Sequence, residues 1–241
     1  MNALTAALWG ALSASSLLIG AALAIWLRPS NRIVGLVMGF GSGTLISAIA
    51  YELVPEATKG DFPVVLGLAV GALTFFLADW IIDHHGGEHR KSIATKQQAG
   101  AGLAIFLGTL LDGIPESLVL GMSLALGGTV GVAFLVAVVI SNLPEGIAGT
   151  TSMQDAGMAR KTIFGMWLAL LVVSALAAAL GDVLIKLQLG VEGAGVAAFA
   201  AGAMLTMLAD TMMPEAFEHG GKVVGLVTVC GFVVATALAF M

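Results

Sequence analysis

One cysteine in 241 residues has nothing within the chain to pair with, so an internal disulfide and a thiolate metal cluster are both excluded. Charge is scarce as well: Asp, Glu, Lys and Arg together make up 10% of the chain, against about 25% in soluble domains. The ten Lys and Arg are scattered in ones and twos, which leaves no basic surface and excludes nucleic acid as a partner. Neither H-E-x-x-H nor G-x-G-D occurs, so an intramembrane or metal-dependent hydrolase is disfavoured, and no enzyme and no cofactor is expected. What fills the chain instead is apolar. Hydrophobic residues reach 59% and mean hydropathy +1.02, which excludes a soluble single domain. The 32 glycines suit close helix packing in lipid.

A hydrocarbon core about 30 Å thick needs about 20 mostly apolar residues per helix. Stretches of that kind run over 3–27, 33–57, 62–82, 101–126, 129–151, 162–186, 193–217 and 222–241, predicting eight transmembrane helices. The opening MNALTAALWG has no basic n-region, so the first stretch is expected to be retained as a span. With both termini outside the cytoplasm, the cytoplasmic loops hold Arg28, Arg32, Arg90, Lys91, Lys96, Arg160, Lys161 and Lys222, and the outer loops hold Lys59 and Lys186. That asymmetry obeys the positive-inside rule and predicts a multi-pass protein of the cell's inner (plasma) membrane.

Phe40 to Ala57, FGSGTLISAIAYELVPEA, aligns without gaps on Phe199 to Ala216, FAAGAMLTMLADTMMPEA. The first copy lies in helix two and the second in helix seven, which run in opposite directions, so the repeat is inverted, a transporter architecture. The fold class expected is an all-α membrane protein with eight helices in a 3+2+3 inverted-repeat arrangement. One transmembrane domain, 1–241, then holds helices one to three in 1–82, a cytoplasmic His-bearing loop in 83–99, helices four and five in 101–151, and helices six to eight in 162–241.

Helix four carries LDGIPESLVLG and helix five ISNLPEGIAGT, which align at Pro115 with Pro144 and at Glu116 with Glu145. A carboxylate at the bilayer centre costs about 2.5–3.5 kcal/mol on insertion scales, and Asp112, Glu116 and Glu145 bring three to one depth. Asp112 and Glu116 share one helix face at i, i+4, as Asn142 and Glu145 do at i, i+3, so four oxygen-bearing side chains can converge on a cation. Each proline removes a donor four residues ahead of a carbonyl, freeing the oxygens of Leu111 and Ile140 to turn toward a cation or water.

These residues resemble the ZIP (Zrt/Irt-like) metal transporters along nearly the whole chain. SNLPEG at 141 to 146 is similar to that family's H-N-x-P-E-G pattern, and DGIPES at 112 to 117 matches it more weakly. The resemblance implies a divalent metal site between helices four and five, one helix bundle sliding against another, and a homodimer. It places Glu116 and Glu145 at the motif glutamates, Asn142 and Ser141 at ligand positions of helix five, and Asp112 where the motif of helix four has histidine. Gly113 stands where asparagine is expected, and helix six offers Ser174 where several bacterial members have glutamate. An oxygen-rich site by itself favours Fe²⁺ or Mn²⁺; the resemblance implies Zn²⁺ as the transported ion.

Further acids lie near helix ends. Glu52 and Glu56 on helix two, with Asp210 and Glu215 on helix seven, are candidates to collect metal at the entrance and receive it at the exit. In the loop DHHGGEH, His84, His85 and His89 form a candidate adaptable metal site suited to regulation or hand-off. The reading is a transporter moving a divalent cation into the cytoplasm through the bilayer; the alternatives are a divalent cation channel and a non-transporting metal sensor with a degraded site.

Overall fold

A computed structural model describes residues 2–59, 63–82, 84, 101–125, 132–187 and 193–240. Among them every regular element is helical. The chain runs α1 (Ala3–Leu27), α2 (Asn31–Ala48), a π turn (Ile49–Leu53), α3 (Val54–Ala57), α4 (Val64–Ile82), α5 (Ala101–Ala125), α6 (Val132–Asp155) and α7 (Arg160–Lys186). It continues with α8 (Gly193–Met207), a second π turn (Leu208–Met212), α9 (Met213–Gly220), a short 3₁₀ turn (Gly221–Val223) and α10 (Val224–Ala239).

Among the described residues, seven helical stretches are long and apolar enough to cross a bilayer. The spans anticipated at 193–217 and 222–241 fall together in the last of these, Gly193–Ala239, which is 47 residues long. Within it Gly221 takes φ 69°, a left-handed conformation that a residue without Cβ adopts freely, and the helix is broken there. Local chemistry sets the other ends. Asn2 caps α1 by accepting from the Thr5 N–H at 3.1 Å. Arg28 turns left-handed at φ 45° and Ser30 caps α2, reversing the chain in three residues. The polar side chains that do enter apolar helices mostly bond their own backbone, as Ser13 does to the Gly10 carbonyl and Thr228 to that of Val224, both at 2.9 Å.

Both π turns precede a proline, Pro55 or Pro214, and Leu208 stands 159 positions after Ile49, the spacing of the sequence repeat. A proline ring collides with the carbonyl four residues back; widening the preceding turn moves that carbonyl aside.

Glycine decides how the helices meet. Four pairs, Gly20 with Gly146, Gly43 with Gly231, Gly71 with Gly202 and Gly121 with Gly181, are reciprocal. In each pair, a Cβ on one glycine would strike the backbone carbonyl three residues before the other. Contacts advance along both partners together, as where Gly35, Gly39, Gly43 and Ser47 of α2 meet Gly220, Val224, Thr228 and Thr236, so the helices of each pair run in the same direction. The crossings join α1 to α6, α2 to α10, α4 to α8 and α5 to α7. They sort the helices into two sets. Helices α1, α5, α6 and α7 pack on one another; in the second set α2 packs with α9 and α10, α4 with α8, and α8 with the π turn and α3 that continue α2; the sets meet where α2 faces α6 and α5 faces α8.

Candidate functional site

Pro115 lies inside α5 and Pro144 inside α6, and the acids beside them fall near mid-helix. Thr109, Asp112 and Glu116 lie on one face of α5, and all three are buried, Glu116 with 2% of its surface accessible. The Glu145 carboxyl reaches across from α6 to the Thr109 and Asp112 side chains, with Glu116 close enough to interact through its charge, while the Thr109 hydroxyl donates to the Ile105 carbonyl at 3.2 Å. Buried carboxyl groups brought this close repel one another unless they share a proton or hold a cation between them. Oε2 of Glu116 and Oε1 of Glu145 are buried atoms with no hydrogen-bond partner.

Thr109, Asp112 and Glu145 border a cavity of about 50 Å³, room for one or two water-sized occupants, and Glu116 lies one turn beyond Asp112, off its wall. Its wall is formed by Ile105, Gly108, Thr109 and Asp112 of α5, Glu145, Ala148, Gly149 and Ser152 of α6, Met38 of α2, Thr211 of the second π turn and Glu215 of α9. The cavity lies between the two helix sets, in the half of the molecule nearer Arg28 and Gly221. The other half is closed by an apolar cluster that includes Leu45, Leu53, Val119, Leu124, Phe134, Val138 and Leu208. Every polar group on the cavity wall is an oxygen donor, joined by the Met38 thioether. Among the described residues no three His, Cys, Asp or Glu side chains form a ready-made metal cage.

Asp112, Glu116 and Glu145 are therefore brought together, and Glu215 joins the wall that Asp112 and Glu145 line. Asn142 and Ser141 turn elsewhere. The Asn142 amide donates to the Ser13 carbonyl of α1 at 3.5 Å. Ser141 bonds the Val138 carbonyl at 3.0 Å and lies against Gly41 of α2. The Ile140 carbonyl, freed by Pro144, also faces Gly41, and neither it nor Leu111 lines the cavity.

Glu52 sits half-buried on the first π turn, and Glu56 pairs with Lys59 at 2.5 Å; neither reaches the cavity. Asp210 is exposed on an apolar groove between α4 and α8. His84 bonds the Trp80 carbonyl through Nδ1 at 3.1 Å and lies tilted against the Trp80 ring, whereas His85 and His89 lie outside the described residues. Thr109, Ser152 and Thr211 are cavity residues that motif reading passed over. The signal was present as helical spacing: Thr109 three before Asp112, Ser152 seven after Glu145, and Thr211 four before Glu215.

Apolar helices that carry buried acids beside in-helix prolines around an internal cavity define a multi-pass, all-α membrane protein. No family model matches the chain. It is 30% identical over 229 residues to the zinc transporters ZupT of Salmonella newport (strain SL254), Salmonella typhimurium (strain LT2) and Salmonella typhi, covering 86% of this chain and 84% of each relative. The chain belongs to the ZIP family.

Proposed function

We propose that this protein is a carrier, not an enzyme, that moves Zn²⁺ into the cytoplasm, with Fe²⁺ or Mn²⁺ as further candidate cargo for its oxygen-lined cavity. The observation that carries the reading is the convergence of Asp112, Glu116 and Glu145 beside the prolines of two neighbouring helices at an internal cavity. Buried acids at mid-span are retained where an ion pathway needs them. The name of the ZupT relatives supports zinc as the ion. In this reading Asp112, Glu116 and Glu145 are the ligands, with Thr109 beside Glu145 on the cavity wall, while Asn142 and Ser141 position α6 from the sides facing α1 and α2.

Alternating access is favoured over an open channel because the cavity occupies one half of the molecule while an apolar cluster fills the other. The reciprocal glycine crossings lie within each helix set and not between the sets, so each set can move as a unit. We read Gly193–Ala239 as two spans, since 47 helical residues would extend about 70 Å, more than twice a hydrocarbon core. Eight spans then alternate in direction, consistent with all four parallel crossings. The inverted repeat finds support in the matched π turns and in the crossing glycines Gly43 and Gly202, which also stand 159 residues apart. With the termini outside, Arg28, Arg32, Arg160, Lys161 and Lys222 fall on the cytoplasmic side and the cavity opens toward them. A homodimer belongs to the same reading on family grounds alone.

Uptake of ⁶⁵Zn²⁺ into vesicles reconstituted with Glu116→Gln or Glu145→Gln tests the site. Glutamine keeps volume and hydrogen bonding but removes the charge a divalent ion needs. Uptake is expected to collapse at unchanged membrane expression; normal uptake in both variants would remove these carboxylates from the pathway.

A further inference from the structure

The fourth histidine, His219, stands in the last turn of α9, four residues after Glu215 and therefore on the same helix face one turn further from the cavity. The helix is pressed against α2 at this point: a Cβ on Gly35 would lie 2.5 Å from the Gly220 nitrogen and 2.9 Å from the His219 Cβ. Nδ1 of His219 lies 2.9 Å from the backbone carbonyl oxygen of Glu215. A carbonyl can only accept, so Nδ1 carries the proton and donates it. In the neutral ring that leaves the lone pair on Nε2, which bonds to no described residue. One ring N–H anchored on a backbone carbonyl, with the opposite nitrogen presented as a lone pair, is how metal-binding imidazoles are oriented.

The cavity wall itself offers oxygen donors and one thioether, of which Glu215 lies closest along the helix to His219. We propose that the Glu215 carboxylate and His219 Nε2 form a second divalent-metal site at the mouth of the cavity, a way station that receives the ion from Asp112 and Glu145. It rests on the transport reading above for its role in the pathway, but not for its ability to bind metal. Mixed nitrogen and oxygen donors suit an ion of the zinc class, and placing the nitrogen outside the oxygen-lined cavity draws such an ion outward.

The chain has four histidines, so replacing His84, His85 and His89 with Ala leaves His219 as the sole imidazole. In that background, ¹⁵N resonances of the labelled imidazole are followed as Zn²⁺ is added to the reconstituted protein. The Nε2 resonance is expected to shift while Nδ1 stays protonated. An Nε2 resonance unchanged at saturating Zn²⁺ overturns the site. His219→Gln, which keeps a donor for the Glu215 carbonyl, is expected to slow zinc transport on the order of tenfold with binding at the Glu145 site unaltered. A shifted Nε2 resonance together with an unslowed His219→Gln protein overturns the way station. Normal transport by Glu116→Gln and Glu145→Gln with the Nε2 shift intact would instead indict the transport reading and leave the metal site standing.

Discussion

Gly146 tests the packing that holds the site, because Glu145 is its neighbour and the α1–α6 crossing fixes both. In Gly146→Ala the new methyl carbon would sit 2.5 Å from the Leu17 carbonyl oxygen and 2.8 Å from the Leu17 Cα. Carbon and carbonyl oxygen ordinarily approach no closer than about 3.3 Å, so the helices must part by roughly 0.8 Å. The obstacle is backbone, which cannot rotate away, placing the cost toward the upper end of the ~1–3 kcal/mol usual for overpacking. Better helix propensity returns up to about 1 kcal/mol, for a net loss of about 1–2 kcal/mol. Gly165 in α7 is the control. Nothing lies within 4 Å of its added Cβ, so Gly165→Ala keeps the propensity gain without the clash and should be neutral or stabilised by up to about 1 kcal/mol. At about 2–4 °C per kcal/mol for a chain of this size, thermal unfolding of the purified proteins in detergent should show Gly146→Ala falling by roughly 2–8 °C and Gly165→Ala level or rising. Zinc uptake should fall with Gly146→Ala as Glu145 is displaced. Equal shifts in the two variants, or a more stable Gly146→Ala, would refute the inference that this crossing is set by backbone contact.

Orientation is open to cysteine labelling. In a Cys230→Ala background, Ala156→Cys, in the turn where Gly157 takes φ 81°, should resist an impermeant maleimide in intact cells and react in inverted vesicles, the reverse result placing the termini in the cytoplasm. Trp167, fully buried, donates from Nε1 to the Thr150 hydroxyl at 2.8 Å between α7 and α6. Trp167→Phe should therefore lose about 1–3 kcal/mol by leaving that hydroxyl short of a partner and opening a gap, read as a lower melting temperature with zinc affinity unchanged.

What the residues determined alone was the solvent and which buried acids are candidates for the site. Apolar runs about as long as a bilayer is thick can be satisfied only by helices in lipid. Carboxylates in such runs are costly enough that Asp112, Glu116 and Glu145 stand out as a candidate site from the sequence alone. Helical spacing also placed Asp112 and Glu116 on one face, since periodicity is a local property of the backbone. The direction in which a side chain faces a neighbouring helix is not local. Asn142 and Ser141 have the same motif standing as Glu145, yet the rotation of α6 sends one toward Ser13 and the other toward Gly41. Thr211 and Glu215 reach the Glu145 cavity only because α9 packs beside α2 and brings a distant stretch of chain to the site. Nor could composition say which of 32 glycines carry the crossings. A glycine becomes a contact only where another helix's backbone arrives within reach of its missing Cβ, and that arrival is a property of the assembled bundle.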